Sequence, residues 1–161
     1  MKILISILAC EGDGHYVALE KAIRETWGSE KSKHEDIVDI IYYYGNPSLE
    51  SDFKLEGDRL WVKSGEGYFN TWNKTLMMLD FISKNYQFDY LFRTNLSSYV
   101  DLKNLQNFAK ENYKENFYCG SFGNLDPGNF CSGAGYFLSK NLIKLILSQK
   151  ENLFEEAIDD V

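Results

Sequence analysis

A polar turn after a predicted buried strand is the part of this chain best placed to bind a ligand. Residues 88–93 are mostly apolar, and residues 94–98 follow them as a turn. Asn95, Leu96 and Ser97 form the middle of that turn. Carboxylates there would bind a divalent cation, whereas amides and hydroxyls bind such cations weakly. Whether the chain uses a metal therefore depends on these three residues.

Apolar segments alternate with helical patterns, and this alternation predicts the elements that position the turn. Near-continuous apolar segments predict strands at residues 2–9, 37–44, 59–62, 88–93, 117–122 and 130–138. Apolar residues at helical spacing predict helices at residues 15–27, 68–86, 102–113 and 140–149, the last capped by Ser139. The alternation predicts an α/β three-layer sandwich with a mostly parallel sheet flanked by helices. Because ligands bind at the carboxyl ends of such strands, residues 10–14, 45, 64–67 and 94–98 form the predicted functional edge.

Composition limits the class of protein. The chain is 44% apolar and 16% aromatic, which excludes a disordered protein. Its formal net charge is -7 at pH 7, so it lacks the basic surface that nucleic acid binding requires. The sequence shows no repeat, linker or low-complexity tract. We therefore predict one domain over residues 1–161.

The cysteines and the N-terminal segment predict a location. Cys10, Cys119 and Cys131 are odd in number and match no zinc spacing, so we expect reduced, mostly buried thiols in a reducing compartment. Residues 1–10 superficially resemble a signal sequence, but a first strand explains this short apolar run better. No segment approaches the ~18 apolar residues of a membrane span. These features predict a cytoplasmic protein.

Five blocks of sequence resemble one enzyme family. The strongest, residues 22–28, reads Ala-Ile-Arg-Glu-Thr-Trp-Gly. The others are residues 56–58 with 68–76, then 90–100, 131–139 and 158–161. Together they resemble the beta-1,3-galactosyltransferase and fringe family of glycosyltransferases over nearly the whole chain.

The resemblance implies a GT-A fold that holds a UDP-sugar at the strand ends. It also implies transfer of a hexose, of galactose or N-acetylhexosamine type, to a glycan hydroxyl with inversion. A carboxylate takes the proton from the acceptor hydroxyl as its oxygen attacks the sugar. By alignment that base is Asp160, with Asp159 as the close alternative, although both could be solvated acids of an acidic chain end.

The same resemblance implies basic residues in the donor site. Arg24 and Arg93 could hold the pyrophosphate by bidentate contacts. Arg24 could equally pin its helix through a salt bridge, for example with Asp58. Lys74, one helical turn after Asn70, could reach a phosphate or simply be exposed.

Small and polar residues complete the expected donor site. Gly133 and Gly135 could let the backbone approach the donor sugar or acceptor closely, or could form a bulge in a strand. The remaining expected contacts lie in the loop after the first strand and in the polar turn: Ala9, Cys10, Glu11, Gly12, Thr94, Asn95 and Ser97.

The chain departs from the family pattern at the metal site. The family's triple aspartate aligns with Asn95, Leu96 and Ser97. The resemblance implies Mn²⁺ as cofactor, but its carboxylate ligands are absent, so no metal ligand is predicted. Arginine or lysine must then offset the charge of the departing diphosphate, and Arg93 is the nearest candidate. An arginine usual before residues 22–28 is Glu20 here.

The chain ends at Val161, where the family continues into acceptor contacts and a metal-binding histidine, so we expect the acceptor part to be missing. Three hypotheses follow. The leading one is a hexosyltransferase with a metal-independent or weakened metal site. The second is a non-catalytic sugar-nucleotide or glycan-binding remnant. The third is a truncated donor-binding half of a longer enzyme.

Overall fold

A computed structural model of the chain describes residues 1–12, 14–112, 114–125 and 128–152. The strands are β1 Ile3–Leu8, β2 Ile37–Gly45, β3 Phe53–Glu56, β4 Arg59–Val62, β5 Tyr90–Asn95, β6 Tyr118–Leu125 and β7 Gly128–Ser139. The α-helices are α1 Gly14–Glu25, α2 Thr71–Asn85, α3 Leu102–Glu111 and α4 Lys140–Ser148. Short 3-10 helices cover Trp27–Lys33, Tyr68–Asn70 and Lys150–Asn152.

The strands form one mixed sheet in the order β3-β4-β2-β1-β5-β7-β6. β1 pairs in parallel with β2 and β5, and β2 pairs in parallel with β4. β3 is antiparallel to β4, β7 is antiparallel to β5, and β6 is antiparallel to β7, so β6 again runs in the direction of β1. In the described part of the chain, β3 and β7 therefore run against the others, and the predicted mostly parallel α/β sheet is confirmed.

Helices cover both faces of the sheet, because the strands are apolar on both sides. The first face packs under α1 and α3, with a core that includes Ile3, Ile5, Ile23, Leu102 and Leu105. The second face packs under α2 and α4, with a core that includes Leu4, Met78, Ile82, Leu91 and Ile143. This is the predicted three-layer arrangement, and it leaves the carboxyl ends of β1, β2, β4 and β5 along one edge.

Three local predictions differ from the structure. β3 was not predicted, because it is a short edge strand with exposed Lys54 and Glu56. The helix predicted from residue 68 begins at Thr71, because Tyr68–Asn70 forms a separate 3-10 turn. Ser139 precedes α4 but does not cap it with its side chain, since its hydroxyl accepts a hydrogen bond from the Phe117 N–H at 2.9 Å.

Within the described residues, no helix combines the length and the apolar character needed to cross a membrane.

Candidate donor site

A cavity of about 290 Å³ opens at the carboxyl edge of the sheet, where β1 and β5 end and α2 begins. Strand ends, the first turn of α2 and the segment before it supply its walls. The lining residues are Leu8, Ala9, Cys10, Tyr16, Glu66, Gly67, Tyr68, Thr71, Lys74, Asn95, Leu96 and Ser97. This is the edge at which an open α/β sheet binds ligands. The cavity contains Ala9, Cys10, Lys74, Asn95 and Ser97 of the predicted donor contacts.

A buried ion pair forms part of the cavity wall. The Lys74 side chain is only 3% exposed, and its ammonium lies 2.6 Å from Glu66 Oε2. It also donates a hydrogen bond to the carbonyl oxygen of Ala9 at 3.0 Å. Glu66 Oε1 accepts a hydrogen bond from the Gly45 N–H at 2.7 Å. Lys74 therefore links α2 to the ends of β1 and β2, and a charged group is fixed where a ligand would enter.

The segment before α2 folds tightly enough to hold Glu66 in place. Asn70 Nδ2 donates to the Glu66 carbonyl at 2.9 Å. A Cβ atom on Gly65 would lie 2.8 Å from Asn70 Nδ2, so a larger residue there would displace the Asn70 side chain. The sequence placed residues 64–67 on the functional edge but did not predict that Glu66 pairs with Lys74, because this contact spans a loop that no helical or strand spacing predicts.

The end of β5, which extends through Thr94 and Asn95 of the predicted polar turn, is hydrogen-bonded to β7. Thr94 Oγ1 donates to the Ala134 carbonyl at 2.7 Å, and Asn95 Nδ2 donates to the Gly133 carbonyl at 3.1 Å. Asn95 Oδ1 accepts a hydrogen bond from the Ser97 N–H at 3.1 Å. The Ser97 hydroxyl donates to the same oxygen at 2.8 Å. Asn95 and Ser97, which stand where metal ligands were expected, therefore use their polar atoms in hydrogen bonds within the protein.

This turn does not fit a divalent cation. Its amide oxygen already accepts hydrogen bonds, and Leu96 is a buried member of the first-face core. A carboxylate at position 96 would replace a leucine of that buried apolar core. Elsewhere in the described ranges, no group of three or more His, Cys, Asp or Glu side chains is arranged to hold a metal ion.

Arg93 lies beneath the cavity and does not line it. Its side chain is 1% exposed. Nε donates to Tyr43 Oη at 3.1 Å, Nη1 donates to the Gly133 carbonyl at 3.0 Å, and the guanidinium lies 5.5 Å from the centre of the Tyr136 ring. These contacts join β5 to β2 and β7. Of the two residues, Lys74 lines the cavity and Arg93 does not.

Arg24 forms the salt bridge with Asp58 that the sequence raised as an alternative. Nη1 and Nη2 donate to the two Asp58 carboxylate oxygens at 2.6 and 2.9 Å. The guanidinium also lies 4.1 Å from the centre of the Tyr42 ring. Arg24 does not line the cavity at the carboxyl edge, so the structure does not bring it together with Lys74.

Glu20 connects that salt bridge to the sheet. Its carboxylate accepts hydrogen bonds from Arg24 Nε at 2.9 Å, Arg59 Nη2 at 2.7 Å and Tyr44 Oη at 2.6 Å. Burial opposes ionisation, but the hydrogen bonds from Tyr44, Arg59 and Arg24 outweigh it and lower the pKa of Glu20 below its usual value. Burial also raises the pKa of Tyr42 to about 12. Through these hydrogen bonds Glu20 joins α1 to β2 and β4.

Among the described residues, the other predicted donor contacts do not line the cavity. Glu11 turns toward β4, where its Oε1 accepts a hydrogen bond from Trp61 Nε1 at 2.8 Å, and the neighbouring Gly12 is exposed. Gly135 packs on the core, because a Cβ there would lie 2.6 Å from Cζ of Phe92. Asp159 and Asp160, the predicted bases, lie outside the described residues.

The chain is an α/β protein with a helix-covered mixed sheet and a cavity at the carboxyl edge, an architecture consistent with a GT-A-like fold. The family model described as Galactosyltransferase matches residues 20–129, which is more than half of the chain. The chain therefore belongs to the galactosyltransferase family. The matched region contains Glu20, Arg24, Lys74 and the polar turn, and it ends before Gly133. Comparison with individual curated proteins finds no match.

Proposed function

We propose that this chain transfers a hexose, of galactose or N-acetylhexosamine type, from a UDP-sugar to a glycan hydroxyl with inversion and without a metal ion. The observation that carries this proposal is the fixed ammonium of Lys74 in a cavity at the carboxyl edge of the sheet. Membership of the galactosyltransferase family supports the reaction class.

The electrostatics of the cavity favour a diphosphate. Lys74 supplies a full positive charge, and the N-terminus of α2, which begins at Thr71 beside it, adds the positive end of a helix dipole. Glu66 balances the ammonium when no ligand is bound. A bound diphosphate would contact the ammonium as a charge-assisted hydrogen-bond acceptor, which is stronger than a neutral contact.

The metal-free part of the proposal rests on the polar turn. The side chains of Asn95 and Ser97 are hydrogen-bonded to each other, and Asn95 also donates a hydrogen bond to the Gly133 carbonyl. Leu96 is buried. These side chains offer no carboxylate to a cation. Lys74 and the α2 N-terminus then offset the negative charge that develops on the departing diphosphate.

The chemical step needs a base for the acceptor hydroxyl, and we assign that role to Asp160, with Asp159 as the alternative. The carboxylate takes the hydroxyl proton while the acceptor oxygen bonds to the anomeric carbon, and the bond to the diphosphate breaks on the opposite face. Glu66 is less suited, because one of its oxygens contacts Lys74 and the other accepts from the Gly45 N–H.

One observation favours a second candidate, a sugar-nucleotide-binding protein without catalysis. Among the described residues that line the cavity, Glu66 carries the single carboxylate, and both of its oxygens are hydrogen-bonded. If Asp160 does not reach the site, the chain would bind a donor without transferring it.

Donor hydrolysis by the full chain in EDTA separates the two candidates. The transferase predicts measurable release of UDP from a UDP-hexose, and a loss of ~100-fold or more in kcat for Asp160→Asn with UDP affinity unchanged. Glu151→Gln, at an exposed carboxylate, is the matched control. A loss in Asp159→Asn instead of Asp160→Asn would assign the base to Asp159. UDP binding without turnover would favour the binding protein, and absence of UDP binding would contradict both.

A further inference from the structure

Two exposed tyrosines border the same cavity as Lys74. Tyr16, in the first turn of α1, is 40% exposed, and Tyr68, in the 3-10 helix before α2, is 65% exposed. Both rings line the cavity. Aromatic side chains contribute large apolar areas, and exposed aromatic rings beside a cavity are suited to stack on a ligand.

The two tyrosines reach the cavity from opposite helical layers. Tyr16 belongs to α1, whose Ile23 packs on the first face of the sheet. Tyr68 directly precedes α2, whose Met78 packs on the second face. A ligand in this cavity would therefore lie beside one tyrosine from each layer.

Because of this placement, we propose that Tyr16 and Tyr68 bind the nucleobase of the donor by stacking and so select a nucleoside diphosphate over a simple diphosphate. The inference rests on the proposed function, in which the diphosphate contacts Lys74. A nucleobase has two flat aromatic faces, so it can use rings on two walls of one cavity. A hexose in its ring form presents its apolar C–H groups mainly on one face and would use one ring.

The depth of the charged group supports this division of the cavity. Lys74 is buried to 3% exposure, whereas the tyrosines are among the exposed large side chains. The diphosphate would contact the buried ammonium, while the base would lie between the exposed rings. Base stacking on aromatic side chains tolerates different bases, so the tyrosines set the class of ligand and leave the choice of base to polar contacts.

Calorimetry on the full chain tests the proposal with UDP, pyrophosphate and free galactose as probes. Tyr16→Ala and Tyr68→Ala are each expected to weaken UDP binding by ~5- to ~100-fold, the range measured for loss of one base–aromatic stack. Pyrophosphate binding should stay unchanged. Tyr16→Phe and Tyr68→Phe keep the rings and should bind UDP like the wild type.

The control needs an exposed aromatic residue that touches neither tyrosine. Phe69 contacts the Tyr68 ring edge-to-face at 5.8 Å and is therefore unsuitable, so Phe122→Ala serves as the control. Phe122 is 73% exposed on β6 and does not line the cavity, so its removal should leave UDP affinity unchanged. Equal losses for UDP and pyrophosphate in the tyrosine variants, or no loss for either, would overturn the proposal. Loss of galactose binding with UDP binding intact would place a sugar against the rings and would also overturn it.

If the wild type binds pyrophosphate no more weakly than UDP, the stacking inference fails while the proposed function stands. If the wild type binds neither, both fail.

Discussion

The ammonium of Lys74 lies 2.6 Å from Glu66 Oε2 in the wall of the cavity at the carboxyl edge of the sheet. Because Lys74 also donates to the Ala9 carbonyl, the pair ties α2 to the end of β1. The sequence alone suggested Arg93 as the residue that replaces a lost metal charge. Both side chains are buried in the structure, but only Lys74 of the two lines the cavity.

Lys74→Met should weaken UDP binding by ~10- to ~100-fold, because it removes a charge-assisted hydrogen bond while keeping the length of the side chain. The measurement is calorimetry with UDP in EDTA. Lys84→Met is the matched control, since Lys84 lies on the same helix, is exposed, and pairs with Asp80 at 2.7 Å away from the cavity. Equal affinities for the two variants would show that Lys74 does not contact the donor.

Leu96→Asp should lower the free energy of unfolding by ~3–5 kcal/mol, because it buries an unpaired carboxylate in the first-face core. Urea denaturation measures this loss, and added Mn²⁺ should not restore stability. Leu145→Asp, on an exposed leucine of α4, should change stability by no more than ~0.5 kcal/mol. A Leu96→Asp variant that Mn²⁺ stabilises would mean that the turn can still form a metal site.

Glu20→Gln should reduce the loss of stability in acid. The folded-state pKa of Glu20 is lowered, so its contribution is present above the unfolded pKa of ~4.3 and is lost as pH falls through the folded value. The wild type should therefore lose stability more steeply below about pH 4.5 than the variant. At pH 7 the variant should be less stable by ~1–2 kcal/mol, since it weakens the hydrogen bonds from Arg24 and Arg59.

Denaturant unfolding at several pH values gives the free energy of unfolding of each protein as a function of pH. Glu25→Gln serves as the control, because Glu25 is exposed on the same helix and meets only Lys21 at 3.6 Å among its ion-pair partners in the described part of the chain. Its curve should run parallel to that of the wild type. Parallel curves for Glu20→Gln would exclude the hydrogen-bonded carboxylate as a source of acid sensitivity.

Gly135→Ala should destabilise the fold by ~1–3 kcal/mol without changing UDP affinity, because the added methyl would meet Phe92 in the core. Gly14→Ala is the control, since a Cβ there meets nothing within 4 Å. Thermal unfolding and UDP calorimetry on both variants separate packing from binding. A stable Gly135→Ala variant that binds UDP poorly would instead return Gly135 to the donor site.

The sequence was sufficient for the elements that are apolar throughout. β1, β2, β4 and β5 each carry several buried apolar residues, so their positions could be predicted to within two residues. β3 could not, because its exposed Lys54 and Glu56 resemble a loop. The apolar pattern therefore predicts the central strands of this sheet and does not predict the edge strand β3.

The site was predictable only in part, because its side-chain contacts cross between distant elements. Lys74 could be found from the family pattern, but its partner Glu66 lies in a loop whose path no local spacing predicts. Arg93 follows an apolar strand, and the sequence cannot tell whether such a guanidinium faces a cavity or the packed layer of Tyr43 and Tyr136. Only the three-dimensional structure decides between these.

The central claim is that the donor binds through Lys74 without a metal ion. Calorimetry of UDP binding to the full chain in EDTA, and again with Mn²⁺, tests it most directly. Equal affinity under both conditions, weakened ~10- to ~100-fold in Lys74→Met, is the predicted result. UDP binding that requires Mn²⁺, or that tightens tenfold or more when Mn²⁺ is added, would contradict it.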